Sequence, residues 1–409
     1  MGQSIKEIMP VKTSQRDGAS TAEFDQAVDV RKFCGRLLMF FPILMVFFIF
    51  PTVILWKAGE LERIDRVVEQ QAEFKNVILF EKAYNGKMGY YAISAVEKRK
   101  PQVIALGTSR VMSFRSKFFK PEVTFYNAGG GAMEIGHFRE FLNRLPDSAV
   151  PKVMIVGMDQ VYFNASRLFD PDLHDVQKFY SEASPLGIWQ NAVQKIIVDY
   201  AAGKFRLTDV FSLRPSKIRK IGLGAVATDS GTLNDGSHYY GGFIRNPQAD
   251  PDWEFRTALK EIVTGDGFFR HGRESSRQAF QELDAFLKEC HRRNIHVIGF
   301  MTPYPHKVYQ AMMDAGSDYG YLIHLRRDME PLFKKFGFSF FDFSDLAWIG
   351  ASDQETFDGH HGSEKAYLRL FLQMAKTDPV LASMTDIAEL QKRLDQSVSP
   401  YIVFGVDEF

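Results

Sequence analysis

Cysteine is almost missing from this chain: 2 residues in 409, Cys34 and Cys290, which build no intramolecular disulfide framework. Net charge is missing as well, because 50 Lys and Arg balance 50 Asp and Glu. A protein that tracks phosphates needs a basic excess, so this balance excludes general nucleic-acid binding. No long block of like charges hides inside it, and there is no internal repeat or low-complexity tract. With 45% hydrophobic and 24% charged residues, wholesale disorder, a collagen-like repeat and a multi-span membrane protein are excluded too. Tryptophan is scarce at 4 residues, whereas phenylalanine is abundant at 37.

Several of those phenylalanines fall in one uncharged stretch, Leu37 to Trp56. Its length suits a helix crossing a hydrocarbon core of about 30 Å, kinked at Pro42 and Pro51. It is long for a signal peptide, and no small-x-small cleavage site follows it. The opening M-G-Q-S-I-K lacks the Ser or Thr of a myristoylation signal. The expectation is an uncleaved single-pass anchor at 37–56 that seats the protein in a lipid bilayer. Arg31, Lys32 and Arg36 precede it and Lys57, Arg63 and Arg66 follow it, the upstream set lying closer to the apolar run. This places residues 1–36 in the cytoplasm and the remainder outside, in the periplasm.

Residues 57–100 read as a mixed, charged juxtamembrane segment. Beyond them, apolar runs at 103–106, 123–126, 153–156, 295–301 and 338–343 alternate with helical patterns at 132–145, 274–293 and 319–336. Short buried strands separated by helices predict an α/β fold: a three-layer flavodoxin-like sandwich on a five-strand parallel sheet. Residues 162–278 break this rhythm and are too many for a structureless loop. They read as a large insertion able to cap the site, or as an independent domain, with D-G-S at 235–237 and the following H-Y-Y-G-G as turn chemistry. The main domain covers 101–380, and 381–409 form a C-terminal helix and tail.

Three strand ends and one late motif carry the candidate chemistry. The first strand runs into Gly107-Thr108-Ser109-Arg110, which presents a serine among backbone N–H groups at the sheet's carboxyl edge, as a nucleophile requires. A turn or helix-cap role fits the same serine. The second strand ends in Asn127-Ala128-Gly129-Gly130-Gly131, either an exposed set of N–H groups for an anion or a tight turn. No Gly-Lys-Ser/Thr follows, so it is not a P-loop. The third strand ends in Gly157-Met158-Asp159. Near the C-terminus, Asp358-Gly359-His360-His361 precedes an apolar helix; an Asp three residues before a His can fix its tautomer and leave the other nitrogen as a base. No cofactor is implied, and no second ligand cluster with metal spacing accompanies that motif.

The order of these four elements resembles the SGNH/GDSL hydrolase superfamily over residues 100–160 and 295–376. By that resemblance Ser109 is the nucleophile, in a Gly-Thr-Ser where the family has Gly-Asp-Ser. Gly129 is an oxyanion donor, His361 the base and Asp358 its orienter, with His360 at a variable position. The third block departs from the pattern: Asp159 stands where the family has an Asn that donates to the oxyanion. A charged Asp accepts rather than donates, so either it is protonated, another donor substitutes, or activity is weak or lost. Arg110 reads as a source of positive charge beside the nucleophile, as a grip for an anionic substrate, or as a surface residue. An anchor followed by such a domain resembles the D-alanine-transfer and alginate O-acetylation branches, which work with a membrane-bound O-acyltransferase. The resemblance implies a serine O-acyltransferase or esterase acting on acyl, chiefly acetyl, groups of envelope polysaccharide. The alternative is a non-catalytic scaffold for the acyltransferase.

Overall fold

The computed structural model describes residues 30–408 except 74–75, 85, 168–170 and 213–216. The opening M-G-Q-S-I-K and most of the expected cytoplasmic tail lie outside the described residues. Among the described residues nine strands form two sheets: β1 Ile78–Phe80, β2 Val103–Gly107, β3 Phe125–Gly129, β4 Val153–Met158, β5 Arg219–Ile221, β6 Ser230–Thr232, β7 His238–Tyr240, β8 His296–Met301 and β9 Ser339–Asp342. The main sheet runs β3-β2-β4-β8-β9, all parallel. Counted within the sheet this is the order 2-1-3-4-5 of flavodoxin-like folds, whose ligand crevice opens between the first and third strands. Here those are β2 and β4.

Strand alternation builds the three layers. Ile104, Leu106, Met154 and Val156 face a core under the helices Met88–Arg99, Ile135–Arg144, Arg277–Arg292 and Leu325–Lys335. Val103, Ala105, Val153 and Ile155 face the opposite core, filled by Phe114, Phe118 and the helix Glu364–Thr377. Ala366, Leu370, Phe371 and Met374 of that helix are fully buried. Registers Gly107↔Gly129 and Met158↔Met301 hold the carboxyl ends level, so residues 108–109, 130, 159 and 302 emerge on one edge.

Residues 57–100 are built into the body: β1 lies between β5 and β6 in a second sheet of order β5-β1-β6-β7. The segment 162–278 supplies the other three strands of that sheet, so the two regions are interlaced. The second sheet eluded the sequence reading because its strands have three residues each, too short to show a period.

The apolar stretch is not one straight span. No single helix among the described residues is long and apolar enough to cross a membrane. Val30–Met39 and Phe41–Lys57 meet the requirement only as a pair bent by 40°. Pro42 and Pro51 each remove a backbone donor, and the chain widens to a π-helix at Met45–Ile49 between them. From Leu37 to Phe50 the large apolar side chains are 38–77% exposed. Ile54 and Leu55, by contrast, are buried against Ala192, Ile196 and Phe205 of the insertion.

At the far edge of the main sheet, Asp378 links three elements. It bonds His296 Nε2 on β8 at 2.8 Å, Ser339 Oγ on β9 at 2.6 Å, and the Leu381 N–H at 3.0 Å. Burial opposes its charge, yet these donors hold the carboxyl at about 2, below its ordinary 3.8. A depressed folded value means stability that is present above about pH 4 and lost as pH falls towards about 2. Asp378→Asn is expected to flatten that part of the stability profile by about 2 kcal/mol, read by urea unfolding across the acid range. An unaltered acid profile would remove Asp378 from the explanation.

Candidate active site

β2 ends at Gly107, and a 3-10 turn, Ser109–Val111, follows at once. Thr108 caps it: its Oγ1 accepts the Arg110 N–H at 3.2 Å. The turn fits against the sheet edge only because that edge is glycine. A Cβ on Gly107 would stand 2.7 Å from Val111 Cγ1, one on Gly157 2.3 Å from the same atom, and one on Gly129 2.4 Å from Met112 Cγ. Three strand ends therefore make room for the turn that carries Ser109.

Ser109 Oγ lies 2.8 Å from His361 Nε2, and His361 Nδ1 lies 2.7 Å from Asp358 Oδ2. Nδ1–H donates to the carboxylate, which leaves Nε2 to accept the seryl proton. The Asp-x-x-His loop is self-bracing, since Asp358 Oδ1 also accepts the amides of His360 at 2.9 Å and His361 at 2.8 Å. Asp252 Oδ2, from the insertion, accepts the Gly359 N–H at 2.7 Å. Burial works against the Asp358 charge, but the charge and hydrogen bond of His361 hold its carboxyl well below the usual carboxylate range. The nucleophile, base and orienter of the sequence reading are thus brought together.

The other expected residues do different work. The Gly129 N–H donates to Asn127 Oδ1 at 2.9 Å, while the amides of Gly130 and Gly131 bond the carbonyls of Gly107 at 2.9 Å and Ala128 at 3.0 Å. The glycine cluster is a packing device, with none of these three amides left over for an anion. Asp159 accepts hydroxyl bonds from Thr108 and Thr302, both at 2.8 Å, so its carboxylate is an acceptor engaged on both oxygens. Among the described residues the Ser109 N–H has no acceptor, which leaves it free to meet an oxyanion.

Arg110 is neither on the surface nor a substrate grip: its side chain is 1% exposed. Nε donates to His360 O at 2.9 Å, Nη1 to Gln160 Oε1 at 3.0 Å, and Nη2 to the carbonyls of Thr302 at 3.1 Å and Pro303 at 2.7 Å. Its guanidinium lies 4.2 Å from the Tyr304 ring centroid and 3.7 Å from Asp159. One side chain therefore ties together the loops after β2, β4 and β8 and the loop bearing His361.

Sequence reasoning missed Thr302 and Tyr240, and took Gln160, beside Asp159, for an ordinary polar residue at a strand exit. The signal for Thr302 and Gln160 was their place just past strand ends. Tyr240 lay in the run read as turn chemistry, but it stands on β7, stacks on Phe357 at 4.0 Å and sits 6.2 Å from His361. Ligand atoms of Asp358, His360 and His361 also lie within 4.8 Å of one another. Both His361 nitrogens are already engaged, so a metal would bind there only by dismantling the relay. Compared with family models, with curated proteins and with solved structures, the chain matches none.

Proposed function

We propose that this chain is a serine O-acyltransferase or esterase of the SGNH type, handling acyl, chiefly acetyl, groups on an envelope polysaccharide. One observation carries the reading: the continuous Ser109–His361–Asp358 hydrogen-bonded relay at 2.8 and 2.7 Å, standing at the crevice between β2 and β4. Ser109 Oγ attacks the ester carbonyl while His361 Nε2 takes its proton. The Ser109 N–H meets the developing oxyanion, and His361 returns the proton to the departing sugar oxygen. Water or a second sugar hydroxyl, deprotonated by the same nitrogen, then releases the acyl group from Ser109. The exposed apolar segment Leu37–Phe50 supports a bilayer as its surroundings, since such a surface is costly in water. On that reading the catalytic body stands outside the cytoplasm.

The direct test is covalent. A fluorophosphonate probe is expected to label the wild-type chain at Ser109, located by peptide mass spectrometry; labelling elsewhere, or none, would reject the assignment. A second reading, a non-catalytic partner of a membrane-bound O-acyltransferase, draws on Asp159, whose carboxylate accepts hydrogen bonds where an oxyanion donor is expected. One missing donor costs about a hundred- to a thousandfold in rate. Such a partner would co-purify with the acyltransferase even after Ser109 and His361 are replaced.

The pH profile offers an independent check. Burial, then the charge of His361, lowers His360 to about 3; burial, Arg115 and His361 lower His238 to about 3. Both neighbours stay neutral across the working range, and Asp358 stays charged. Neither His360 nor His238 therefore adds a proton to the pH dependence of the reaction. The acid limb of log kcat/KM is expected to have slope one, measured on a soluble acetyl ester. Slope two would reveal a second titrating group and contradict this account.

A further inference from the structure

Beside the His361 loop lies an open cleft of about 480 Å³ that the relay does not use. Its walls carry five aromatic rings, Phe243, Trp253, Phe255, Phe357 and Tyr401. Phe357 immediately precedes Asp358 and shares the stack with Tyr240, so the cleft begins one ring away from the catalytic base. Phe357, Phe243 and Tyr401 brace one another, with centroids 5.3–5.8 Å apart. Trp253 differs: among the described residues its ring stacks on no other aromatic and its indole N–H has no acceptor.

The backbone around Trp253 is strained. Glu254 and Phe255 follow it with φ of 60° and 64°, two consecutive side-chain-bearing residues in the left-handed region. Such strain persists only where the surroundings fix it. Here the Asp252 carboxylate fixes it, accepting the amides of Thr257, Ala258 and Gly359. The same carboxylate therefore sets both the Trp253 turn and the His361 loop. On the rim, Glu254, Lys307 and Gln354 are exposed, and among the described residues their side chains make no hydrogen bond or ion pair.

Aromatic faces beside uncommitted charged and amide groups fit a ligand that is apolar on its ring face and hydroxylated at its edge. A fatty acyl chain would meet three polar groups with nothing to offer them. A pyranose satisfies both, its C–H face on the indole and its hydroxyls on the rim. We propose that this cleft is a glycan subsite, in which Trp253 carries a sugar ring and holds the chain so that an acyl-bearing hydroxyl reaches Ser109. The proposal rests on the ester-handling reading of Ser109.

Binding is tested on the full chain in detergent carrying Ser109→Ala, so that the readout does not depend on turnover. The probes are three hexasaccharides: neutral glucose, N-acetylglucosamine and mannuronate. Titration is followed by calorimetry. At least one is expected to bind, with Trp253→Ala weakening it by about tenfold or more and Trp253→Phe, which keeps a ring, by less. With Ser109 restored, Trp253→Ala is expected to lower kcat/KM on the acetylated form of that glycan about tenfold relative to a small acetyl ester. No binding by any of the three, or equal binding with and without the Trp253 ring, overturns the subsite. Ring-dependent binding, together with no phosphonate labelling of the wild-type chain at Ser109, would keep the subsite and discard the nucleophile.

Discussion

Ser109→Ala is expected to lose ester turnover by at least about 10⁴-fold while keeping the fold. The side chain makes one hydrogen bond, to His361 Nε2, and fills no core space, so alanine removes the nucleophile and little else. The comparison that matters is with Asp358→Asn, which keeps the shape but offers His361 the wrong tautomer and is expected to cost about 10⁴-fold. Because the three groups act as one unit, the double variant should be hardly worse than either single one. Assays with a chromogenic acetyl ester decide the matter. Wild-type turnover in Ser109→Ala would remove the serine from the chemistry, whatever its geometry.

The second large effect is expected at Arg110, and it should appear in stability as well as rate. Arg110→Met leaves Asp159 buried beside no cation and strips donors from Gln160 and from the carbonyls of His360, Thr302 and Pro303. Breaking a buried pair in this way costs about 3–5 kcal/mol. Releasing the His360 carbonyl also frees the loop that carries His361, and a displacement of about 1 Å at the base costs about a hundredfold in kcat. Arg110→Lys should not rescue either loss, because one ammonium cannot reach acceptors on three separate segments. Adding Asp159→Asn to Arg110→Met should recover part of the stability, since it removes the stranded charge. Denaturant midpoints equal to wild type in Arg110→Met would show that the loops hold without it.

How these parts could be foreseen depends on how local their causes are. The five main strands announced themselves as short apolar runs, and the observed β2, β3, β4, β8 and β9 overlap every one of them. The Asp358–His361 pair was legible because both partners sit within one turn, and Ser109 because it follows a strand directly. Arg110 and Asp159 were misjudged for the opposite reason. Their partners Gln160, Thr302, Pro303 and His360 lie 50 to 250 residues from Arg110, so nothing near either residue reveals that it will be buried and satisfied. The glycine cluster was legible as a constraint but not as to its cause, because Val111 and Met112 occupy its space only after folding. The apolar stretch was legible by composition, while its bend and its rooting at Ile54 and Leu55 depend on partners in the insertion.

The interlaced second sheet also sets a timetable for the making of this protein. Strand Ile78–Phe80 has no neighbours until Arg219–Ile221 and Thr232 have been synthesised, and Ser109 must wait 252 residues for His361. At about 5–20 residues per second, that second wait is roughly 10–50 s. A nascent chain halted anywhere before residue 358 lacks both His361 and Asp358, whatever has folded behind it. The Ser109–His361–Asp358 relay thus closes only after residue 361 has been synthesised.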